Sequence, residues 1–148
     1  MTTRIEAYDA ATARATVDAM IAADAFSRWL GVELLALGDG SCSLAMTVRD
    51  EMVNGFGVTH GGIAFSLADS AMAFACNQRE AVTVAVDNGV SYPAPIRPGD
   101  RLVAEARREG GAGRLAWYHV SVRNQDEAVV CLFRGTVYAT RRRHRESS

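Results

Sequence analysis

Hydrophobic and polar residues alternate with a helical period near the start of the chain and with a period of two over most of the rest. Residues 9–27 space their apolar side chains three or four apart, which predicts an amphipathic helix. Residues 41–48 alternate apolar with small side chains, as a half-buried strand does. Together with residues 29–37 and the Gly-Asp-Gly between them, they predict a β-hairpin.

The second half of the chain reads as strands in succession. Residues 82–92 are rich in valine and run into a segment with three prolines, which cannot continue a paired strand. The segments Gly-Gly-Ala-Gly and Gln-Asp-Glu then separate three further strands at hairpin spacing, at 101–109, 114–124 and 128–140. The charged tail, residues 141–148, is expected to fray.

Between the two groups of strands lies a helix, residues 61–76, that is apolar almost all round. Strands in runs, rather than alternating with helices, favour an antiparallel α+β arrangement. The simplest way to bury such a helix is a curved antiparallel sheet wrapped around it, with a partner subunit covering what remains. We therefore expect one domain spanning residues 1–148.

Composition excludes several classes of function. The net charge of −1 provides no general attraction for nucleic acid or an anionic membrane. All 16 basic residues are arginine, so neither a Schiff-base lysine nor a P-loop lysine is available. The three cysteines have no metal-ligand spacing, so we expect reduced core thiols and no metal site. The chain start lacks a signal-peptide core, and no apolar run approaches the length of a membrane span, so a cytoplasmic protein is expected.

Two glycines and one carboxylate stand out around the central helix. Gly61 and Gly62 lie where the helix must begin, and its first amides lack intrahelical partners. Without a Cβ, they let a ligand oxygen approach, although the same pair also suits a tight turn or close packing. Asp69, two turns later, is either a hydrogen-bonded core acid or an acid with a shifted pKa in a wet cleft.

Asn54 and His60 are ambiguous when each is taken alone. An Asn before a Gly is typical of a turn, and a His at a helix start is typical of a cap. An amide, an imidazole, a bare helix start and an acid nevertheless all fall within 16 residues. That convergence favours a chemical site.

The segment NGFGVTHGGIAFSLADSAMAFACN, residues 54–77, resembles the signature of the hotdog-fold acyl-CoA thioesterases, specifically the phenylacetic acid degradation protein PaaI type. The similarity continues through RPGD at 97–100 and LFRGTVY at 132–138. The resemblance implies a hotdog fold, in which a curved antiparallel sheet wraps around a long central helix. The hydrophobic pattern predicts the same order of elements.

The resemblance also implies a role for each candidate residue. Asp69 corresponds to the family's nucleophile or general base, and the Gly61 amide to the group that polarises the thioester carbonyl. His60 would assist positioning, and Asn54 would orient substrate or water. Some relatives carry a strand hydroxyl that supports the water, for which Thr83 is a candidate. Whether the acid attacks carbon or activates water stays open.

The implied substrate is an aryl-acetyl-CoA ester such as phenylacetyl-CoA or hydroxyphenylacetyl-CoA, within phenylacetate degradation. Coenzyme A is part of the substrate, so no separate cofactor is expected. The resemblance implies a homo-oligomer with a dimer as the minimum active unit and a tetramer as the usual assembly. In the family, the loop of one subunit faces the aspartate of the other.

Other substrate contacts are open choices. Candidates for the coenzyme A phosphates are Arg97, Arg114, Arg134 and Arg141 to Arg143. Candidates for the acyl pocket are Phe56, Phe65, Met72 and Phe74.

Two alternative functions remain. A hotdog dehydratase or hydratase needs a different acid–base set, and the next histidine after Asp69 is distant, at His119. A non-catalytic acyl-CoA or aromatic-ligand binding protein would have no need for a buried acid.

Overall fold

A computed structural model describes residues 7–144 of the chain. Two short helices precede a hairpin, and the long helix α3 separates that hairpin from four further strands. The elements, in chain order, are α1 Ala10–Ala23, α2 Ala25–Leu30, β1 Glu33–Gly38, β2 Ser41–Thr47, a 3₁₀ turn Asp50–Met52, α3 Gly61–Cys76, β3 Ala81–Ser91, β4 Arg101–Ala112, β5 Leu115–Arg123 and β6 Val129–Arg143.

The six strands form one antiparallel sheet in the order β1-β2-β4-β5-β6-β3. Helix α3 lies against one face of this sheet and contacts β2, β3, β4, β5 and β6. The core between them consists of apolar side chains from alternate strand positions and from α3, including Leu44, Leu67 and Phe133. The predicted α+β architecture, with an antiparallel sheet around a central helix, is confirmed.

The N-terminal helix is broken at Asp24, so the expectation of one helix over 9–27 is wrong. The Asp24 carboxylate caps α2 by accepting hydrogen bonds from the Ser27 amide (2.9 Å) and the Ser27 hydroxyl (2.6 Å). The Ser27 and Ser70 hydroxyls lie 2.9 Å apart and connect α2 to α3. Gly31 ends α2 with a φ of 80°, so the strand predicted from residue 29 begins only at β1.

Two strands are longer than their sequence patterns predict. Strand β4 includes most of the Gly-Gly-Ala-Gly segment, and the turn is confined to Gly113 and Arg114. Strand β6 continues to Arg143, which pairs with Ala81, so residues 141–143 of the expected frayed tail are ordered. His144 follows with its amide donating to the Glu80 carbonyl oxygen (2.9 Å), and the last four residues of that tail, 145–148, lie outside the described residues.

The three helices of the described chain differ in length and burial. None within residues 7–144 is both long enough and apolar enough to span a membrane.

Candidate active site

Helix α3 leaves one stripe of its surface uncovered by the sheet. Most of its residues are buried, including Ile63, Leu67 and Phe74. The partly exposed ones lie three or four residues apart along one face and are Gly61, Gly62, Phe65, Ser66, Asp69, Ala73 and Cys76. The acid predicted to be functional therefore lies on the open face of the helix and not in the core.

The start of α3 keeps one backbone donor free. The Gly62 amide donates to His60 Nδ1 (2.9 Å), and the Ile63 amide donates to the His60 carbonyl oxygen (3.0 Å). The Gly61 amide has no acceptor among residues 7–144. Because the helix dipole places partial positive charge here, this amide is suited to a ligand oxygen.

Both glycines also lie in tightly packed positions. A Cβ on Gly61 would lie 3.0 Å from Tyr92 Cζ, and a Cβ on Gly62 would lie 3.0 Å from His60 Nδ1. The Tyr92 hydroxyl donates to the Gly61 carbonyl oxygen at 3.0 Å. These contacts support the packing interpretation of the glycines, and the free Gly61 amide keeps the ligand interpretation as a prediction.

Asn54 organises the loop that leads to α3. Its Oδ1 accepts hydrogen bonds from the amides of Phe56 (2.8 Å) and Val58 (3.4 Å), in an Asx turn. Within the described part of the chain, Asn54 Nδ2 makes no hydrogen bond, so a donor remains free. Asn54 is thus the predicted turn residue and still has a donor for a ligand.

Asp69 is half-buried and bonded to a residue of β3. Asn88 Nδ2 lies 3.4 Å from Asp69 Oδ1 and donates the one side-chain hydrogen bond that this carboxylate receives from residues 7–144. Burial raises the pKa of Asp69 above its ordinary value, and the Asn88 hydrogen bond opposes that shift. Ser66, considered as a partner, instead donates to the Gly62 carbonyl oxygen (2.7 Å).

The site residues form two groups within one chain. Asn54, His60 and Gly61 surround the start of α3, whereas Asp69 lies eight residues on, about 12 Å along the helix axis. No hydrogen bond of the described residues joins the two groups. A single thioester carbonyl cannot contact both groups of one chain at that separation.

Asn88 and Tyr92 contact the candidate residues Asp69 and Gly61, and the sequence did not single them out. Thr83, the candidate on β3, is occupied elsewhere: its hydroxyl donates to the Ala81 carbonyl oxygen (3.2 Å) and its amide to Asn77 Oδ1 (2.8 Å). The available signal for Asn88 was an amide inside a valine-rich strand. Tyr92 carried no comparable signal.

The candidate acyl-pocket residues lie in different environments. Phe65 is half-buried one turn before Asp69 and makes an edge-to-face contact with Phe133, with centroids 5.4 Å apart. Met72 and Phe74 are buried core residues, and Phe56 is 94% exposed on the loop. Phe65 is the one of these four candidates that is both partly exposed and one turn from the acid.

The candidate arginines are spread over the surface. Arg114 donates to the Ala139 carbonyl oxygen (2.8 Å), and Arg143 pairs with Glu80. The others are exposed: Arg97, Arg134, Arg141 and Arg142. Among residues 7–144, no group of three or more His, Cys, Asp or Glu side chains is placed to hold a metal ion.

A sheet wrapped around a central helix, with an acid on the open helix face and a free amide at the helix start, defines a hotdog-fold thioester hydrolase. Residues 56–131 match the family model of the Thioesterase superfamily. The chain is 36% identical over 117 residues to acyl-coenzyme A thioesterase PaaI of Escherichia coli, covering 79% of this chain and 84% of that protein.

A human relative and a solved structure agree with this match. Human acyl-coenzyme A thioesterase 13 is 33% identical over 115 residues, covering 76% of this chain and 82% of that protein. The structure of the E. coli PaaI protein from the phenylacetic acid degradation operon superposes with a TM-score of 0.85 at 33% identity, covering 88% and 94% of the two chains. The chain belongs to the Thioesterase superfamily, and the predicted hotdog fold and thioester hydrolase class are confirmed.

Proposed function

We propose that this protein hydrolyses acyl-CoA thioesters, with aryl-acetyl-CoA esters as the preferred substrates. The observation that carries the proposal is the half-buried Asp69 on the uncovered face of α3, combined with the unoccupied Gly61 amide at the start of that helix. The E. coli and human relatives are both named acyl-coenzyme A thioesterases, which supports the substrate class.

The reaction needs an oxyanion donor and a base. The Gly61 amide binds the thioester carbonyl oxygen as it gains negative charge; a single such donor is worth about 2.7–4 kcal/mol. Asp69 either takes a proton from the attacking water or attacks the carbonyl carbon itself. The C–S bond then breaks, and the coenzyme A thiolate leaves with the electron pair and is protonated by solvent. If water attacked, the free acid is released at once and Asp69 gives up its proton to solvent; if Asp69 attacked, an acyl-Asp69 anhydride remains, and water hydrolyses it to the free acid and the regenerated carboxylate.

His60 and Asn54 position the substrate in this proposal. His60 Nδ1 is the acceptor for the Gly62 amide, which fixes the imidazole ring over the first turn of α3. Asn54 Nδ2 is free to donate to the substrate or to water, while Asn54 Oδ1 keeps the loop in shape.

The site is completed by a second copy of the chain. The two groups of site residues are about 12 Å apart within one chain, so the loop of one subunit would face Asp69 of its partner. Strand β3 supports this arrangement because it is an edge strand with one unpaired side, and its Val84 and Val86 side chains are 44% and 57% exposed. We propose a dimer as the active unit, and two dimers associating as a tetramer.

The aryl-acetyl preference is the finer part of the proposal. Phe65 lies one turn from the acid, and its ring packs against Phe133. An aromatic acyl group can stack on this pair. The E. coli PaaI structure comes from a phenylacetic acid degradation operon, which supports a role in that pathway.

Release of free thiol from a panel of CoA esters tests the proposal. The panel contains phenylacetyl, hydroxyphenylacetyl, benzoyl, short-chain and long-chain esters, and Asp69→Asn is compared with the wild type. We expect turnover of the aryl-acetyl esters and a loss of about 10²–10⁴-fold in kcat for the variant. Binding of an ester without thiol release would contradict hydrolysis and identify a binding protein instead. Preference for a non-aromatic ester would overturn the aryl-acetyl assignment alone.

A further inference from the structure

Asn88 is the residue of β3 that touches the acid. Its Nδ2 donates to Asp69 Oδ1 across 3.4 Å, and no other side chain of residues 7–144 donates to that carboxylate. A carboxylate with one oxygen held in this way keeps its other oxygen, Oδ2, fully free for water or substrate. The contact therefore bears on which atom of Asp69 reacts.

A bulge in β3 brings Asn88 to this position. Ala85 pairs with Val137, but Asp87 pairs with Thr136, so Val86 is an extra residue in the strand. If the register of residues 83–85 continued without a bulge, Asp87 would lie opposite Gly135 and Asn88 would turn to the outer face of the sheet. The bulge thus places an amide against Asp69 in place of a second carboxylate.

A missing side chain on β6 makes room for the amide. Asn88 pairs directly with Gly135, and a Cβ on Gly135 would lie 2.8 Å from Asn88 Oδ1 and 2.1 Å from Met72 Sδ. Any larger residue at position 135 would displace Asn88 or Met72. Glycine here is consistent with a space reserved for the Asn88 amide.

The Asn88 side chain is poorly satisfied, which argues against a purely structural role. Its Oδ1 is buried with no hydrogen-bond partner, and its Nδ2 makes one long hydrogen bond. A buried acceptor without a partner is destabilising, and an apolar side chain of the same shape would avoid that penalty. If Asn88 served packing alone, its amide would therefore lower the stability of the fold relative to an apolar side chain of the same shape.

We propose that Asn88 is a positioning residue for the thioesterase reaction: it holds Asp69 Oδ1 and so directs Oδ2 towards the reacting water or carbonyl carbon. This inference rests on the proposed function of the same site. Catalytic hydrogen bonds are commonly long in structures without substrate and shorten in the reactive complex, which fits the observed 3.4 Å.

The contact between Asn88 and Asp69 can be measured through the pKa of Asp69. The Asn88 hydrogen bond opposes the burial that raises the pKa of Asp69, so its removal moves that pKa further up. The exposed Asp87 lies on the opposite face of β3. Four other titratable groups lie on α3 or on the strands packed against it. Burial raises their pKa values to about 11 or 12, so they stay neutral below pH 9: Cys76 on α3, Cys42 on β2, Tyr118 on β5 and Cys131 on β6.

The test replaces the amide by a side chain of similar shape. In Asn88→Leu we expect kcat to fall about 10-fold or more, with KM changed by less than about threefold, since misplacing a reacting group can cost up to about 10²-fold. The acid limb of the kcat/KM profile should move to higher pH, and thermal stability should be unchanged or higher. Asn88→Thr, which keeps a donor, should recover part of kcat.

A second pair of variants keeps the test independent of any folding defect in Asn88→Leu. Asn88→Asp brings two carboxylates together and should move the acid limb furthest. The matched control, Asn124→Asp, makes the same change in the β5–β6 turn, where the side-chain oxygen only accepts hydrogen bonds from the Asp126 and Ala128 amides. The control should leave the profile in place.

The outcomes separate this inference from the proposed function. A ¹³C NMR titration of the Asp69 carboxyl measures its pKa without any turnover. If the wild type cleaves no ester, the function fails, whatever the titration shows. If the wild type cleaves esters but Asn88→Leu leaves kcat, the acid limb and the Asp69 titration unchanged, Asn88 does not position the acid. Loss of stability with unchanged pH dependence would likewise overturn the proposal in favour of a packing role.

Discussion

The Tyr92 hydroxyl donates a 3.0 Å hydrogen bond to the Gly61 carbonyl oxygen, and the Tyr92 ring lies so close to Gly61 that a Cβ there would be 3.0 Å from Tyr92 Cζ. Tyr92, which follows β3, thereby fixes the position of the first turn of α3. This hydrogen bond uses the Gly61 carbonyl oxygen and leaves the Gly61 amide free. The proposed role of the Gly61 amide as the oxyanion donor can therefore be tested, because the steric contact with Tyr92 can be removed separately from the amide hydrogen.

Replacing Gly61 by proline should remove the donor while keeping the helix. Proline is favoured at the first position of a helix, and the extended backbone of His60 (φ −59°, ψ 132°) suits a residue before proline. In a Tyr92→Ala background, which makes room for the ring, we expect kcat to fall about 10²–10³-fold. Gly61→Ala in the same background keeps the amide and is the control. Equal activity of the two double variants would show that this amide does not stabilise the oxyanion.

Substitutions of His60 should separate its capping role from its role with substrate. His60→Ala removes the acceptor for the Gly62 amide and should cost about 0.5–2 kcal/mol of unfolding free energy. His60→Asn supplies another capping oxygen, so its stability should stay close to that of the wild type. We expect kcat/KM to fall in both variants. Full activity in His60→Asn would show that the imidazole acts only as a helix cap and has no role with substrate.

Asp69 should lower stability at neutral pH. Burial raises its pKa in the folded state, so the unfolded chain releases the proton at lower pH, and folding loses stability as pH rises from the ordinary value of 3.8 through the folded value. Asp69→Asn should therefore raise Tm at pH 7, and the gain should vanish below pH 3.8. Asp126→Asn, in the exposed β5–β6 turn, makes the same charge change as a control. A Tm gain that does not depend on pH would point to packing.

Gly135→Ala should damage both stability and activity. The new methyl group would lie 2.1 Å from Met72 Sδ and 2.8 Å from Asn88 Oδ1, so both side chains must move. Overpacking of this kind costs typically about 1–3 kcal/mol, measurable by denaturant unfolding. Adding Met72→Val should recover part of the stability by shortening the side chain in α3. Unchanged stability in Gly135→Ala would show that the Met72 side chain moves aside without strain.

The hydrophobic pattern alone determined the sheet-and-helix architecture. Alternation in residues 41–48 and the apolar run of residues 61–76 specify a strand and a buried helix, because each has to place its apolar side chains on a covered face. The residues of segment 54–69 also marked the candidate site, since a bare helix start and a single acid depart from the core pattern. Both features follow from local sequence.

The local hydrophobic pattern predicted the wrong element boundaries where a capping contact determines the backbone conformation. Residues 25–30 form a helix rather than the continuation of one helix and the start of a strand, because the Asp24 carboxylate caps a new helix and Gly31 ends it. The length of β6 was also missed. Its charged end is ordered by pairing with β3, a contact between residues more than 50 positions apart.

The partners of the acid and of the helix start depend on contacts between residues distant in sequence. Asn88 reaches Asp69 because one extra residue in β3 shifts the register, and Tyr92 reaches Gly61 because β3 ends beside the start of α3. A register shift of one residue turns a side chain to the other face of the sheet, yet it leaves no periodic signal in the sequence. The sequence thus indicated the candidate groups, and strand pairing determined which side chains contact them.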